Sequence, residues 1–512
     1  MSLFALNLPD RRMTALATRA ALAAALAATM GAVAAQAAVQ PQLMKLGLLV
    51  ACATALLVLA VRVPPTVLPL ALVVGLLGLG NLELARVIPV PMLGGQEKWV
   101  LLVLVGVAAL GAAADASAGR RPAWPPTLLL GALFLVVSVG SLFYAADRDL
   151  AGGAVIHQVV QMAALAAGFF WVRRASQANA LVACLAVAGA VSAALGIWQF
   201  LEPAGFNGVF GRFTGLEAGG SVDLWGRDLE RASALWFHPG QYAVLLSASL
   251  PALLWLWFRR RHGVWTCALG AASGLTFVAL ALTGTRMTLV GGVLAALAFA
   301  VASRSRPERL SPVRSGILPI LAGGLVLATV LSTQGSAESN TLGRVFYLFQ
   351  GEGGASASVS GRQAIYGTLT DSWKAAPVLG VGLGNTRHAV ERVTTYNTSP
   401  HSYWIGLLAE TGLVGTGLVA LMMAGMVPHY RRLLRRPPGS SARQFAAFAL
   451  ASSLALLAFG LVHGAMLTEW QTGVLFWLPQ GAVLSLTVRS QDHTDGAIQS
   501  ARTSRAEIGH AR

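Results

Sequence analysis

Pro125-Pro-Thr-Leu-Leu-Leu-Gly-Ala-Leu-Phe-Leu-Val-Val-Ser-Val-Gly-Ser-Leu-Phe-Tyr-Ala145 runs for 21 residues without a charged side chain. A helix rises about 1.5 Å per residue, so this stretch spans roughly the 30 Å of a hydrocarbon core. Runs of the same kind recur in both directions. In windows of about 19 residues they fall at 20–38, 44–61, 64–80, 98–115, 153–172, 180–199, 240–257, 265–284, 287–303, 315–333, 403–426, 443–463 and 471–487. The whole chain of 512 residues is 55% apolar and 11% charged, which excludes an ordinary soluble domain. The expected fold is an all-α polytopic membrane protein with about 12–14 transmembrane helices and a long, partly helical extracytoplasmic loop before the twelfth span.

Arginine collects in every second loop: Arg11/Arg12, Arg62, Arg120/Arg121, Arg173/Arg174, Arg259–Arg261, Arg304–Arg314, Arg431–Arg436 and the tail from Arg489. Under the positive-inside rule these loops and both termini face the cytoplasm, and the loops between them face outward. The net charge of +16 is therefore read as topology, without the aromatic-interleaved basic surface of a nucleic-acid binder. Arg11, Arg12 and Arg19 precede an Ala-rich stretch that reads equally as a cleaved signal or as a first helix. Cys52, Cys184 and Cys267 fall inside apolar runs with no CxxC, so neither a disulfide framework nor a zinc site is indicated.

Two outward loops are long, 200–239 and 334–402, and function is sought there. Within the second, Arg362 to Trp373 reads as a helix stopped by Pro377, followed by the Gly-rich turn Val378-Leu-Gly-Val-Gly-Leu-Gly-Asn385. Gly335–Asn340 and Gly351–Ser360 are small and polar and read as mobile. The chain divides into N-terminal membrane helices (1–199), a region holding both outer loops (200–427), C-terminal helices (428–488) and a disordered cytoplasmic tail (489–512).

Candidate groups lie on the outward side. Arg231 precedes the span at 240 on the face where topology arginines are not expected. Arg286 occupies a tight turn between two apolar runs, where an unpaired guanidinium is costly and a phosphate would suit it. His401 closes the longest outer loop. Glu410 is nine residues on, about two and a half turns, and so on the opposite side of the helix from His401; it reads as a brace for helices or backbone amides. Arg344, Arg362, Lys374, Arg387 and Arg392 line the approach for an anion or are plain solvated charge, while His238, His388, His463 and Glu469 have no spacing that assigns a role.

Three stretches, taken in order, resemble the O-antigen ligase and polymerase superfamily: Arg231 with Phe237-His-Pro-Gly-Gln241, Leu282-Thr-Gly-Thr-Arg286, and Pro377–Asn385 leading to His401-Ser-Tyr-Trp404 and Ala409-Glu-Thr-Gly412. The resemblance covers about residues 225–425. It implies a metal-independent, inverting transferase without cofactor, whose donor is an undecaprenyl-diphosphate-linked glycan and whose acceptor is lipid A–core or another glycan, with its site facing the periplasm. By that resemblance Arg231 and Arg286 bind the diphosphate, His401 orients or deprotonates the acceptor hydroxyl, Arg362 and Arg344 contribute to substrate binding, and Glu410 and Gln241 give structural support. Gln241 stands where the family usually has Asn, and Ser402 where an Asn commonly follows the histidine. A polymerase using the same donor is the close alternative; a polysaccharide transporter or flippase fits less well, because the notable residues gather at one face and not at mid-membrane.

Overall fold

The computed structural model describes residues 96–119, 124–201, 232–236, 239–259, 264–283, 285–303, 354–393, 400–437, 439–461, 463–464 and 469–489, with isolated positions near 73–77, 205–208 and 222–229. The expected spans at 20–38, 44–61 and 315–333, most of 64–80, the tail beyond 489, and Arg231, His238 and Arg344 lie outside them.

The helices are α1 (Gln96–Ser117), α2 (Pro126–Gly140, prolonged by one 3-10 turn, Ser141–Phe143), α3 (Arg148–Trp171), α4 (Ala175–Leu201), α5 (Pro239–Arg259), α6 (Val264–Leu282), α7 (Arg286–Ser303), α8 (Gly354–Ala375), α9 (Thr386–Glu391), α10 (Tyr403–Leu434), α11 (Ser441–Gly460) and α12 (470–489). Two-residue strands, Val222–Asp223 and Asp228–Leu229, pair antiparallel within the loop before α5. Seven of the described helices are long and apolar enough to cross a membrane, and Leu269–Leu282 and Val290–Ala302 are shorter apolar stretches. The protein is an all-α, multi-pass membrane protein.

Local chemistry sets the helix ends. Pro126 opens α2, where its missing N–H would have no partner anyway. Asp147 caps α3 by accepting from the Asp149 and Leu150 amides, and Ser402 and Ser440 cap α10 and α11. Helix α8 starts at Gly354, so part of the segment read as mobile is helical; it stops just before Pro377, as the sequence suggests.

Helix α5 is the hub and the most buried of the spans, packing on α4, α6, α7 and α11. Small residues allow the close crossings. A side chain added at Gly168 of α3 would strike the Leu478 carbonyl of α12, and one added at Gly481 would strike the Leu165 carbonyl. Outside this main core, α8, α9 and the start of α10 share a small one of their own, formed by Ile365, Leu369, Val390 and Ala409 with Tyr366, Trp373 and Ile405 against it. Helices α8 and α9 thus form a folded module with the start of α10, seated on one end of the bundle.

At the opposite end, Asp115 is almost fully buried and bound by two arginines: Arg489 through both terminal nitrogens and Arg173 at 3.1 Å. Arg173 also donates to the Gly111 carbonyl at 2.6 Å. One carboxylate thereby ties α1, the end of α3 and α12 together.

Candidate functional site

The module is clamped by a break in α10. At Gly412 the backbone turns to φ 62°, ψ −163°, and the run Pro377–Asn385 lies in the gap. The Val381 and Gly382 amides donate to the carbonyls of Ala409 and Glu410 at 2.9 and 3.0 Å, and the Leu413 and Val414 amides donate back to Pro377 and Val378 at 3.0 and 3.1 Å. The break frees helix carbonyls and amides, and the Gly-rich run satisfies them. Only glycine fits at the crossing. Both Gly412 and Gly380 have positive φ, and a Cβ on either would sit 2.3 Å from the other segment's backbone.

Glu410 faces the same junction. Its carboxylate accepts from the Thr386 hydroxyl and is within bonding reach of the Gly384 and Thr386 amides at the start of α9. It braces backbone and does not meet His401.

The module is also pinned to the corner between α2 and α3. The Tyr144 hydroxyl donates to the Leu379 carbonyl at 2.8 Å, and the Asp147 amide donates to Asn385 Oδ1 at 2.8 Å. His388 Nε2 lies 3.1 Å from Asp147 Oδ2, with Glu391 on its other nitrogen at 3.5 Å. The capping bonds from Leu150 and Asp149, together with His388, hold the Asp147 carboxyl below the ordinary carboxylate range. None of Tyr144, Asp147 or Asn385 stood out in the sequence as a partner across more than 230 residues.

His401 sits where the module meets α10. Its backbone has φ 50°, a left-handed conformation that costs a non-glycine residue roughly 1–2 kcal/mol. The Tyr366 hydroxyl of α8 holds it there, donating to the His401 carbonyl at 2.9 Å. Arg362, one turn before Tyr366, is close enough to act on the imidazole electrostatically. Burial, and then the Arg362 charge, push the His401 pKa down to about 4, so the ring is neutral at pH 7. Its Nδ1 is buried without a hydrogen-bond partner. The ring meets His463 edge-on at 6.3 Å, and His463 stacks on Phe459 at 4.5 Å.

Arg286 is the first residue of α7. The turn before it is held by the Thr285 amide donating to Thr283 Oγ1 at 3.2 Å and by Thr288 Oγ1 donating to the Thr285 carbonyl at 2.7 Å. Arg231 immediately precedes Ala232, whose amide donates to the Leu282 carbonyl at 3.2 Å. The chain after Arg231 and the turn before Arg286 are therefore neighbours. Gln199 of α4 fixes that segment by accepting from the Ser233 and Ala234 amides, both at 2.7 Å. Gln241, in the first turn of α5, faces Glu469 just ahead of α12.

The structure thus groups Arg362 with His401, and the segment from Ala232 with the end of α6 just before the Arg286 turn. It adds His463 and Glu469, whose partners arrive from other helices and leave no mark on local spacing. No cluster of three or more His, Cys, Asp or Glu side chains able to hold a metal occurs among the described residues.

Comparison with curated proteins gives no match. Residues 271–420, from within α6 to the middle of α10, match the family model described as O-antigen ligase.

Proposed function

We propose that this protein transfers a glycan from undecaprenyl diphosphate to a hydroxyl of lipid A–core at the periplasmic face of the inner membrane. The observation that carries the reading is His401: a neutral imidazole with an unsatisfied nitrogen, held in a strained backbone conformation beside Arg362. Strain and unpaired buried polar atoms are kept where a ligand gives them a purpose.

In this reading the acceptor oxygen attacks the anomeric carbon while the bond from that carbon to the diphosphate oxygen breaks on the opposite face, inverting the centre. The hydroxyl proton passes to His401. Undecaprenyl diphosphate leaves with the electron pair, its charge met by Arg231 and Arg286. Without donor, burial and then the Arg362 charge make His401 a weak base. An anionic diphosphate arriving nearby offsets that charge and raises the imidazole toward the basicity that proton transfer requires. A buried neutral ring next to a cation is in this way switched on by its own substrate.

The test is transfer by purified protein in nanodiscs from undecaprenyl-diphosphate glycan, with lipid A–core or with no second acceptor, beside Arg286→Ala and His401→Ala. Product on lipid A–core that both substitutions abolish supports the ligase. Elongation of the donor alone makes the protein a polymerase working with the same residues. Transfer that survives both substitutions removes these residues from the mechanism.

A further inference from the structure

We propose that Gln241, Glu469 and Thr472 form a binding subsite for carbohydrate hydroxyls, separate from the groups that grip the diphosphate. The proposal rests on the transferase reading above and names the part of the site that reads the sugar.

Three buried polar atoms here make no well-formed hydrogen bond among the described residues, Gln241 Oε1, Glu469 Oε2 and Thr472 Oγ1, although the Gln241 and Thr472 side chains come within hydrogen-bonding reach of the Glu469 carboxyl. They come from two elements, the first turn of α5 and the start of α12, and the side chains of Gln241 and Thr472 both bear on the Glu469 carboxyl. A buried polar atom without a well-formed hydrogen bond is destabilising, so three on neighbouring side chains are hard to explain as packing. An occupant that supplies hydrogen bonds explains them.

The chemistry of the three atoms selects its class. An amide oxygen, a carboxyl oxygen and a hydroxyl offer mainly acceptors, which repel a phosphate and suit a ligand rich in O–H donors. Burial raises the Glu469 carboxyl to about 8, so at neutral pH it is mostly protonated and can also donate. A neutral polyhydroxylated ring satisfies such a mixture. Placement agrees: Glu469 follows His463 by six residues, a separation of at most about 20 Å, and His463 is in ring contact with His401. A glycan whose reacting end lies at His401 can therefore extend to Glu469.

The test measures binding separately from chemistry. Intact protein in nanodiscs is titrated calorimetrically with the released repeat-unit oligosaccharide, freed of diphosphate, and in parallel with inorganic pyrophosphate. Glu469→Leu and Thr472→Val are each expected to weaken oligosaccharide binding at least tenfold and to leave pyrophosphate binding within twofold. Glu469→Gln keeps an acceptor and a donor and should stay within threefold of wild type for both. Oligosaccharide affinity unchanged in folded Thr472→Val and Glu469→Leu overturns the subsite, as does wild-type protein that binds no oligosaccharide. If Glu469→Leu does not fold, Thr472→Val alone decides. The two readings fail apart: transfer activity without oligosaccharide binding leaves the transferase standing and removes the subsite, whereas side-chain-dependent oligosaccharide binding without transfer does the reverse.

Discussion

The Tyr366 hydroxyl donates to the backbone carbonyl of His401 at 2.9 Å, which makes a helix in the loop responsible for the backbone conformation of the candidate base. Tyr366→Phe removes that bond and keeps the ring. The expected cost is about 1 kcal/mol of stability, with kcat reduced about five- to tenfold and KM for the donor changed less than twofold, because positioning and not donor affinity is lost. Steady-state kinetics and thermal unfolding of the same preparation check it.

The φ of 50° at His401 predicts a separation of stability from activity. His401→Gly and His401→Ala should both lower transfer by at least about a hundredfold if the imidazole accepts the proton. Glycine adopts this conformation without strain and alanine does not, so His401→Gly should unfold about 1 kcal/mol later than His401→Ala. Equal melting of the two variants would mean that the strain is absent.

Burial and the Arg362 charge hold the His401 pKa near 4, and the sign of the pH dependence follows. The neutral ring is the active form, so kcat/KM should be flat near neutrality and fall as pH drops through about 4. Arg362→Gln removes a positive neighbour. The acid limb must then move to higher pH, toward the ordinary histidine value of about 6.5. A limb that stays in place in this variant would show that the titrating group is not His401, whatever happens to the plateau.

Much of the fold was legible because a hydrophobic span needs only local composition. The runs expected at 98–115, 153–172, 240–257 and 403–426 each lie within a helix of the structure or differ from it by one residue. The break at Gly412 was hidden, since the sequence on both sides is apolar and a helix is its default. It exists because Pro377–Asn385 supplies the missing hydrogen bonds from 27 or more residues away, information that no window of the sequence contains. The site divides in the same way. Arg362 and His401 could be placed in one loop from the sequence, but the contacts of His401 with His463 and of Gln241 with Glu469 join segments separated by more than 60 residues.

The Glu410 carboxylate and Thr386 hydroxyl form a side-chain bond across the module boundary, backed by the Gly384 and Thr386 amides. Glu410→Gln turns one acceptor into a donor facing donors, and about 2 kcal/mol of stability should be lost. Thr386→Val should cost less, and the double variant should show a coupling of about 1–2 kcal/mol. Gly412→Ala should be the most damaging change at this junction, because a Cβ there meets the Val378 carbonyl oxygen at 2.3 Å. Limited proteolysis between α8 and α10 reports whether the module detaches before the bundle melts.

Asp115 provides the opposite case, a cluster of charges that ties helices together far from His401. It is 1% exposed, while Arg489 and Arg173 retain 12% and 27% of their side-chain exposure, so the arginines can recover some hydration but the carboxylate cannot. Asp115→Asn removes a buried carboxylate that binds two guanidinium groups where α1, α3 and α12 meet, at a cost of about 3 kcal/mol. The cluster lies at the end of the bundle away from His401, and the pH limb of kcat/KM should not move. A lowered melting temperature with an unchanged limb is the expected pair of results. A shifted limb would mean that the packing of α12 at Arg489 is transmitted along the helix to Glu469 and the site, and that the two ends are coupled.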